Sequence, residues 1–272
     1  MCTIILFRRP GHDWPVLIAA NRDERAVRPW RPPARHWEDR PDVVAGFDEH
    51  AGGSWLGVND DGLVAAVLNR RGTLGPAADK RSRGELVLEA LDHADAADSA
   101  AALAHLDPAA YRPFNLVVAD NRDAFWVANR GVDDPVAPGI SVEPVPEGLS
   151  MLAADDLNDP GTPRTAMLAR FRSAAAPDPD AGTWGDWEAL MASREHAPEA
   201  GPLGALCVVT DTDYGTVSSS LIALPAIHRF GTRPVWRFAP GRPGTVRYRP
   251  IDLGGTGGDA AGPGRARPGA LN

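Results

Sequence analysis

The second residue of the chain is a cysteine, and that position gives it a chemistry few cysteines have. Initiator methionine is ordinarily removed ahead of a small residue, and cysteine is small. The mature chain would then begin at Cys2, with a thiol and a free α-amine on one residue. An α-amine titrates at about 7.7–8.0 and a thiol at about 8.5, so a proton can pass between them near neutral pH. Pairing a nucleophile with the N-terminal amine is an established mode of activation. Thr3-Ile4-Ile5-Leu6-Phe7 follows and reads as a core strand. A strand that starts at the nucleophile would hold it rigidly. The competing reading is a chance cysteine at a frayed terminus.

A second polar group stands close by in the sequence. Asn21-Arg22-Asp23-Glu24 ends the apolar run Val16-Leu17-Ile18-Ala19-Ala20. If the first two strands pair, their register can bring this cluster beside Cys2. A carboxylate there can hold a protonated amine, and a guanidinium can bind a substrate carboxylate. A polar turn with a local salt bridge explains the same four residues equally well. Other chemistry has less support. The seven histidines show no His-x-x-x-His spacing and no Cys-x-x-Cys is present, so no metal site is expected. There is no Gly-x-Ser-x-Gly elbow. Cys207 lies in an apolar run and reads as a small buried hydrophobe. Trp30, Trp37 and Trp55 would line an aromatic pocket or simply pack.

The elements that must position these residues read as strands, helices, strand pairs, helices and strands again. Thr3 to Phe7 and Pro15 to Ala20 are strands, and Asn21 to Pro41, rich in Arg, Pro and Trp, reads as an irregular loop. Ser54 to Val58 and Leu63 to Leu68 flank Asn59-Asp60-Asp61-Gly62, the clearest hairpin. Arg83 to Ala94 and Ser99 to Leu106 read as helices. Phe114 to Ala119 and Ala124 to Ala128 form a second hairpin. Thr165 to Ala175 and Trp184 to Arg194 look helical. Ala205 to Thr210 and Val217 to Leu224 are β-branched strands, and Val235 to Phe238 with Val246 to Tyr248 would add a further hairpin. From Gly254 the chain is Gly, Ala, Pro and Arg with almost no apolar mass, so residues 1–253 read as one domain and 254–272 as a disordered tail. Hairpins dominate and no βαβ alternation is visible. The expected class is therefore α+β with mainly antiparallel sheets. Two packed sheets between helical layers would satisfy the pattern, which does not single that arrangement out.

Composition narrows the function. With 272 residues and 43% hydrophobic content the chain can build one sizeable core. A formal net charge of −8 argues against a nucleic-acid partner, which calls for a net basic face. Lys80 is the only lysine. Two cysteines make no disulfide framework, the N-terminal run is too short and wrongly flanked for a signal peptide, and no apolar stretch reaches the roughly 18 residues of a membrane span. A cytoplasmic, reduced protein without an integral membrane segment is the expectation.

Several segments together resemble a known family. Met1-Cys2-Thr3 and Ala19-Ala20-Asn21-Arg22-Asp23-Glu24 are similar to the signature of the NRDE family, also called the transport and Golgi organisation protein 2 family. Gly52-Gly53-Ser54-Trp55-Leu56-Gly57, the strand from Leu63 to Asn69, Ser82-Arg83-Gly84-Glu85, Phe114-Asn115-Leu116-Val117-Val118-Ala119-Asp120 with Asn129-Arg130-Gly131, and Tyr214-Gly215-Thr216 with Ser218-Ser219 follow in the family's order, out to about Leu224. The resemblance implies an N-terminal-nucleophile (Ntn) hydrolase fold, a four-layer αββα sandwich related to choloylglycine-hydrolase-type enzymes that cleave carbon–nitrogen amide bonds. It implies Cys2 as nucleophile, Asp23 as the group that orients its amine, and Asn69 as oxyanion donor, worth about 3 kcal/mol where such donors are well placed. Asn21, Arg22, Glu24, Trp55 and Tyr214 would shape the site for a small-molecule substrate. Two positions depart from the pattern: a second Asn falls on Ala154, with Asn158 nearby, and the Arg after Tyr-Gly-Thr is Val217. Both remove a polar group from pocket positions. The expected function is amide hydrolysis of a small molecule without a cofactor. The alternative is a non-catalytic haem or lipid carrier on the same fold, with haem as ligand only.

Overall fold

The computed structural model describes residues 2–254. Among these residues, thirteen strands form two antiparallel sheets. In chain order they are β1 (Thr3–Arg8), β2 (Val16–Arg25), β3 (Trp30–Ala34), β4 (Val43–Asp48), β5 (Leu56–Asn59), β6 (Val64–Asn69), β7 (Phe114–Ala119), β8 (Ala124–Asn129), β9 (Ile140–Pro144), β10 (Gly148–Leu152), β11 (Tyr214–Leu224), β12 (Val235–Ala239) and β13 (Arg249–Pro250). The helices are α1 (Glu85–Leu91), α2 (Ala96–Leu103), α3 (Leu168–Ser173) and α4 (Asp186–Met191). One sheet runs β10-β1-β2-β11-β12-β13 and the other β3-β4-β5-β6-β7-β8-β9.

The period-2 alternation of the strands sorts side chains into three cores. Ile4, Leu6 and Ile18 of the first sheet meet Leu56, Val58, Ala66, Leu68 and Trp126 of the second between the sheets. Ile5, Leu17, Ala19 and Leu221 point the other way, onto Phe171, Trp187, Leu190 and Met191 of α3 and α4. Ala45, Ala65, Leu116 and Val118 cover the far side of the second sheet with Leu86, Leu91 and Leu103 of α1 and α2. Helices therefore flank two stacked sheets, and the α+β sandwich expected from the sequence is the observed fold.

The first two expected hairpins form. Gly62 takes φ +87° in the β5–β6 turn, a conformation that suits glycine, and donates to the Asn59 carbonyl at 3.0 Å. The Asp120 carboxylate closes the β7–β8 turn by accepting from the amides of Arg122 and Asp123, at 2.7 and 2.8 Å.

Other expectations are corrected. Asn21 to Pro41 is not an irregular loop: β2 runs on to Arg25 and β3 follows, because β11 pairs with β2 along its whole length, from Val16↔Leu224 to Arg25↔Tyr214. Ala205 to Val208 is buried, but the run to Thr210 is not a strand, since β2 lies along one edge of β11 and β12 takes Ser219–Ala223 of the other; Val209 bridges to Gly215 beyond that stretch. The last pairing uses Arg249 and Pro250 rather than Val246 to Tyr248. Strands β3, β4, β9 and β10 were absent from the pattern; α1, α3 and α4 are shorter than their sequence spans, and α2 starts and ends three residues before the expected Ser99 to Leu106. Beyond Gly254, the expected disordered tail lies outside the described residues.

Candidate active site

Cys2 immediately precedes β1, and the Thr3↔Asn21 pairing sets the polar motif beside it. Alternation then divides that motif between two faces. Arg22 lies on the inter-sheet side, where its guanidinium stacks 4.2 Å from the Trp55 ring centroid and 6.0 Å from that of Trp30. Asn21 and Asp23 turn to the helical side. The Asn21 carboxamide donates to the carbonyls of Met191 and Leu206, both at 2.9 Å, and so ties the end of α4 to the strand. Its side chain acts as a tether there, while the residue also lines the smaller of two cavities at Cys2, beside Arg22.

Asp23 is buried, and its oxygens have firm partners. Thr216 Oγ1 donates to Oδ1 at 2.6 Å, and Arg164 Nη2 to Oδ2 at 3.1 Å. Arg164, only 2% exposed, also donates to Thr3 Oγ1 and to the Leu203 carbonyl. One arginine thereby spans the strand that follows Cys2 and the carboxylate of the motif. The Cys2 sulfur lies 3.8 Å from the Asp23 main-chain carbonyl. Burial, and then the negative charge of Asp23, push the Cys2 thiol above its ordinary pKa.

Two cavities meet at Cys2. The larger, about 320 Å3, is an open cleft whose walls include Cys2, Arg22, Glu24, Trp55, Asn69 and Arg83. The smaller, about 20 Å3, is an apolar slot lined by Ile4, Ala20, Leu56, Ala66 and Leu68, with Ser218 and Ser220. Cys2, Arg22, Trp55 and Val67 belong to both. The Trp55 ring fits because residue 46 is glycine; a Cβ there would lie 2.3 Å from the ring. Asn69 ends β6, and its carboxamide has no hydrogen-bond partner among the described residues. Glu24 faces Arg28 at 3.7 Å, and Arg28 pairs with Asp48 at 2.7 Å, which makes a charged rim. Arg22 reaches Asp48 at 3.5 Å through Nη2, while its Nη1 is buried with no partner among the described residues.

Cys2, Arg22, Glu24, Trp55 and Asn69 thus converge on one cleft, with Asp23 at its wall. Tyr214 does not join them. It begins β11 on the Asp23 face, and burial, then the charges of Cys2 and Asp23, push its hydroxyl up. Trp37 is also elsewhere, donating to the Gly52 carbonyl at 3.2 Å. Asn158 is a turn residue with φ 59°, bonded to the Met151 amide and the Ser150 hydroxyl, so it does not replace the Asn missing at Ala154. Sequence reasoning missed Arg164, which no motif marks, and gave Arg83 no role although the family-like segment contains it.

Two stacked antiparallel sheets flanked by helices form an Ntn-hydrolase-like fold, as the match to solved structures shows. The fold matches the Caenorhabditis elegans ortholog of N-acylethanolamine-hydrolyzing acid amidase with TM-score 0.51 at 14% identity, covering 81% of this chain and 92% of that one. It matches a variant of the conjugated bile acid hydrolase of Clostridium perfringens with TM-score 0.53 at 11% identity, covering 93% and 92%. At these identities the likeness is one of fold.

The Transport and Golgi organisation 2 family model matches residues 1–233. The Transport and Golgi organization protein 2 homolog of Bos taurus is 30% identical over 255 residues, 78% of this chain and 82% of that protein. The chain belongs to the Transport and Golgi organisation 2 family.

Proposed function

We propose that this protein is an N-terminal-cysteine hydrolase that cleaves a carbon–nitrogen amide bond of a small molecule. The observation that carries the reading is the position of Cys2, at the start of β1 and on the wall of a 320 Å3 cleft. The fold it shares with an acid amidase and a conjugated bile acid hydrolase supports it. After removal of Met1, the Cys2 amine takes the thiol proton and the thiolate attacks the amide carbon. The oxyanion of the tetrahedral intermediate accepts from the Asn69 carboxamide. Its collapse breaks the C–N bond, and the leaving nitrogen takes the proton held by the Cys2 ammonium. Water then attacks the thioester, giving up a proton to the amine, and releases a carboxylic acid and the free thiol. Arg164 and Thr216 fix Asp23, which holds the Cys2 ammonium.

The carrier reading has weaker physical support. The apolar slot of about 20 Å3 is far smaller than a haem or a lipid chain, and the larger cleft is lined by charges. Intact mass before and after brief treatment with a thiol-directed electrophile tests the proposal. Loss of Met1 with rapid single labelling, absent in Cys2→Ala, is the expected result. Retained Met1 with labelling no faster than a free thiol would move the function to ligand carriage.

A further inference from the structure

The cleft beside Cys2 is basic, although the chain carries a formal net charge of −8. Six cations line it, Arg22, Arg28, Lys80, Arg81, Arg83 and Arg112, against three carboxylates, Asp23, Glu24 and Asp48. The carboxylates are already engaged. Asp23 is held by Arg164 and Thr216, and Glu24 and Asp48 flank Arg28. Arg81 pairs with Glu85 and Glu89 outside the cleft.

Arg83 and Arg112 remain uncompensated. Neither has a carboxylate within 4.0 Å among the described residues. Arg83 Nη1 donates to Thr73 Oγ1 and the Pro113 carbonyl, both at 3.0 Å. Arg112 donates to the carbonyls of Leu74, Gly75 and Gly72 at 2.7, 3.2 and 3.3 Å. Neutral acceptors therefore orient both guanidiniums without an ion-pair contact, and the charge of Glu24 reaches Arg83 only from farther off. Lys80 donates to the Ala109 carbonyl at 2.7 Å and, unlike the two arginines, has a carboxylate near it, Asp79 at 3.7 Å. Burial, then repulsion from Arg112, pull Arg83 down to about 10. Farther in, the buried Nη1 of Arg22, a residue 5% exposed, lines the same cleft with no partner among the described residues.

Arginines in water often carry no such meaning, because solvent screens them cheaply. These are held by directed hydrogen bonds and converge on the cavity that holds the nucleophile. Arg is also suited to carboxylate and phosphate oxygens, which it can grip in two places. We propose that the Arg83–Arg112 pair, with Lys80 at its rim, binds an oxyanion carried by the substrate, so that the molecules reaching Cys2 are anionic. That the anion belongs to a substrate rests on the nucleophile reading; that an anion binds here does not.

The test uses the full chain, with inorganic phosphate and succinate titrated calorimetrically into wild type, Arg83→Gln and Arg112→Gln. In parallel, Cys2 is alkylated with iodoacetate and with neutral iodoacetamide, with Cys2→Ala as background. Saturable binding of phosphate or succinate, weakened about tenfold in each variant, is the expected result, and which anion binds identifies the source. The ratio of iodoacetate to iodoacetamide rates should exceed that of free cysteine by about tenfold and fall back in both variants and at high salt. Fast labelling without charge preference, together with no anion binding, overturns the anion site and leaves the nucleophile standing. Anion binding with a Cys2 no more reactive than a free thiol sinks the nucleophile reading instead. Anion binding without charge preference removes the substrate from the proposal. Should Arg83→Gln lose its fold, Arg112→Gln carries the test, since its bonds reach only loop carbonyls.

Discussion

Two influences act on the Cys2 thiol in the same direction. Burial and the charge of Asp23 push its thiol upward, so thiolate is scarce at neutral pH unless a base stands beside it. The sign of the pH dependence follows. In a chain that keeps Met1, alkylation of Cys2 should accelerate only above the ordinary thiol range of about 8.5. In a chain that begins at Cys2 the amine shares the proton, and the rate should rise through the α-amine range of about 7.7–8.0. Iodoacetamide rates against pH, on two preparations verified by mass, decide it; coincident curves would remove the amine from the mechanism. Cys2 and Arg22 were legible in the sequence because a contiguous motif marks them. The partner of Asp23 was not, because Arg164 lies 141 positions away and no spacing rule connects the two. Nor could types alone divide Asn21-Arg22-Asp23-Glu24 between a cleft face and a helical face; that needed the knowledge that β2 continues to Arg25.

At the scale of elements, two family-like segments prove to be one contact. Gly53 and Gly84 pack backbone to backbone, and the Ser54 amide donates to the Gly84 carbonyl at 2.9 Å. A Cβ on residue 53 would lie 2.4 Å from the Gly84 carbonyl carbon, a backbone atom that cannot swing aside. This contact sets Trp55 and Arg83 on the walls of one cleft, which explains why a Gly-Gly-Ser-Trp turn and a Ser-Arg-Gly-Glu helix start matter together. Gly53→Ala should therefore cost about 1–3 kcal/mol by overpacking. It should also slow Cys2 alkylation by an anionic reagent as Arg83 shifts. An unchanged urea midpoint would mean that the segments do not dock in this way. Hairpins with strong turn signals, β5–β6 and β7–β8, were readable because every determinant is local. Strands β3 and β10 were not. β3 carries Pro32 and Pro33 and pairs with β4 across a bulge, and β10 is drawn into the sheet by β1, far away in sequence. Ala205 to Thr210 shows the reverse error, since an apolar β-branched run is no strand where the edge it would pair with, Ser219–Ala223 of β11, is already taken by β12.

At the scale of the molecule, the layers follow from hydrophobic alternation, while the register between the sheets also has an electrostatic tie. Asp155 and Asp156 follow β10 of the first sheet. Arg70 and Arg71 follow β6 of the second, and Arg130 follows β8. Arg71 meets Asp155 at 2.5 Å, and Asp156 takes Arg70 at 2.6 Å and Arg130 at 3.0 Å. Asn115 of β7 adds bonds to the Ala153 and Asp155 carbonyls at 3.0 and 2.7 Å. Partial burial works against ionisation of both carboxyls. For Asp155 the bonds from Arg71 and Thr162 outweigh it, for Asp156 those from Arg130 and Arg70, and both groups sit below their ordinary pKa. A depressed folded pKa gives stability that is complete above the unfolded value of about 3.9 and is lost as pH falls through the folded one. Asp156 is 44% exposed, so its share is discounted to that of a surface pair. Asp155→Asn with Asp156→Asn should then cost about 1–2 kcal/mol near neutral pH. Urea midpoints of wild type and variant should converge as pH drops below about 3.9, because protonation makes the two chains electrically alike. A gap that stays constant from neutral pH into that acid range would assign the cost to lost packing at the β10 end, and the two sheets would owe nothing to this charge tie.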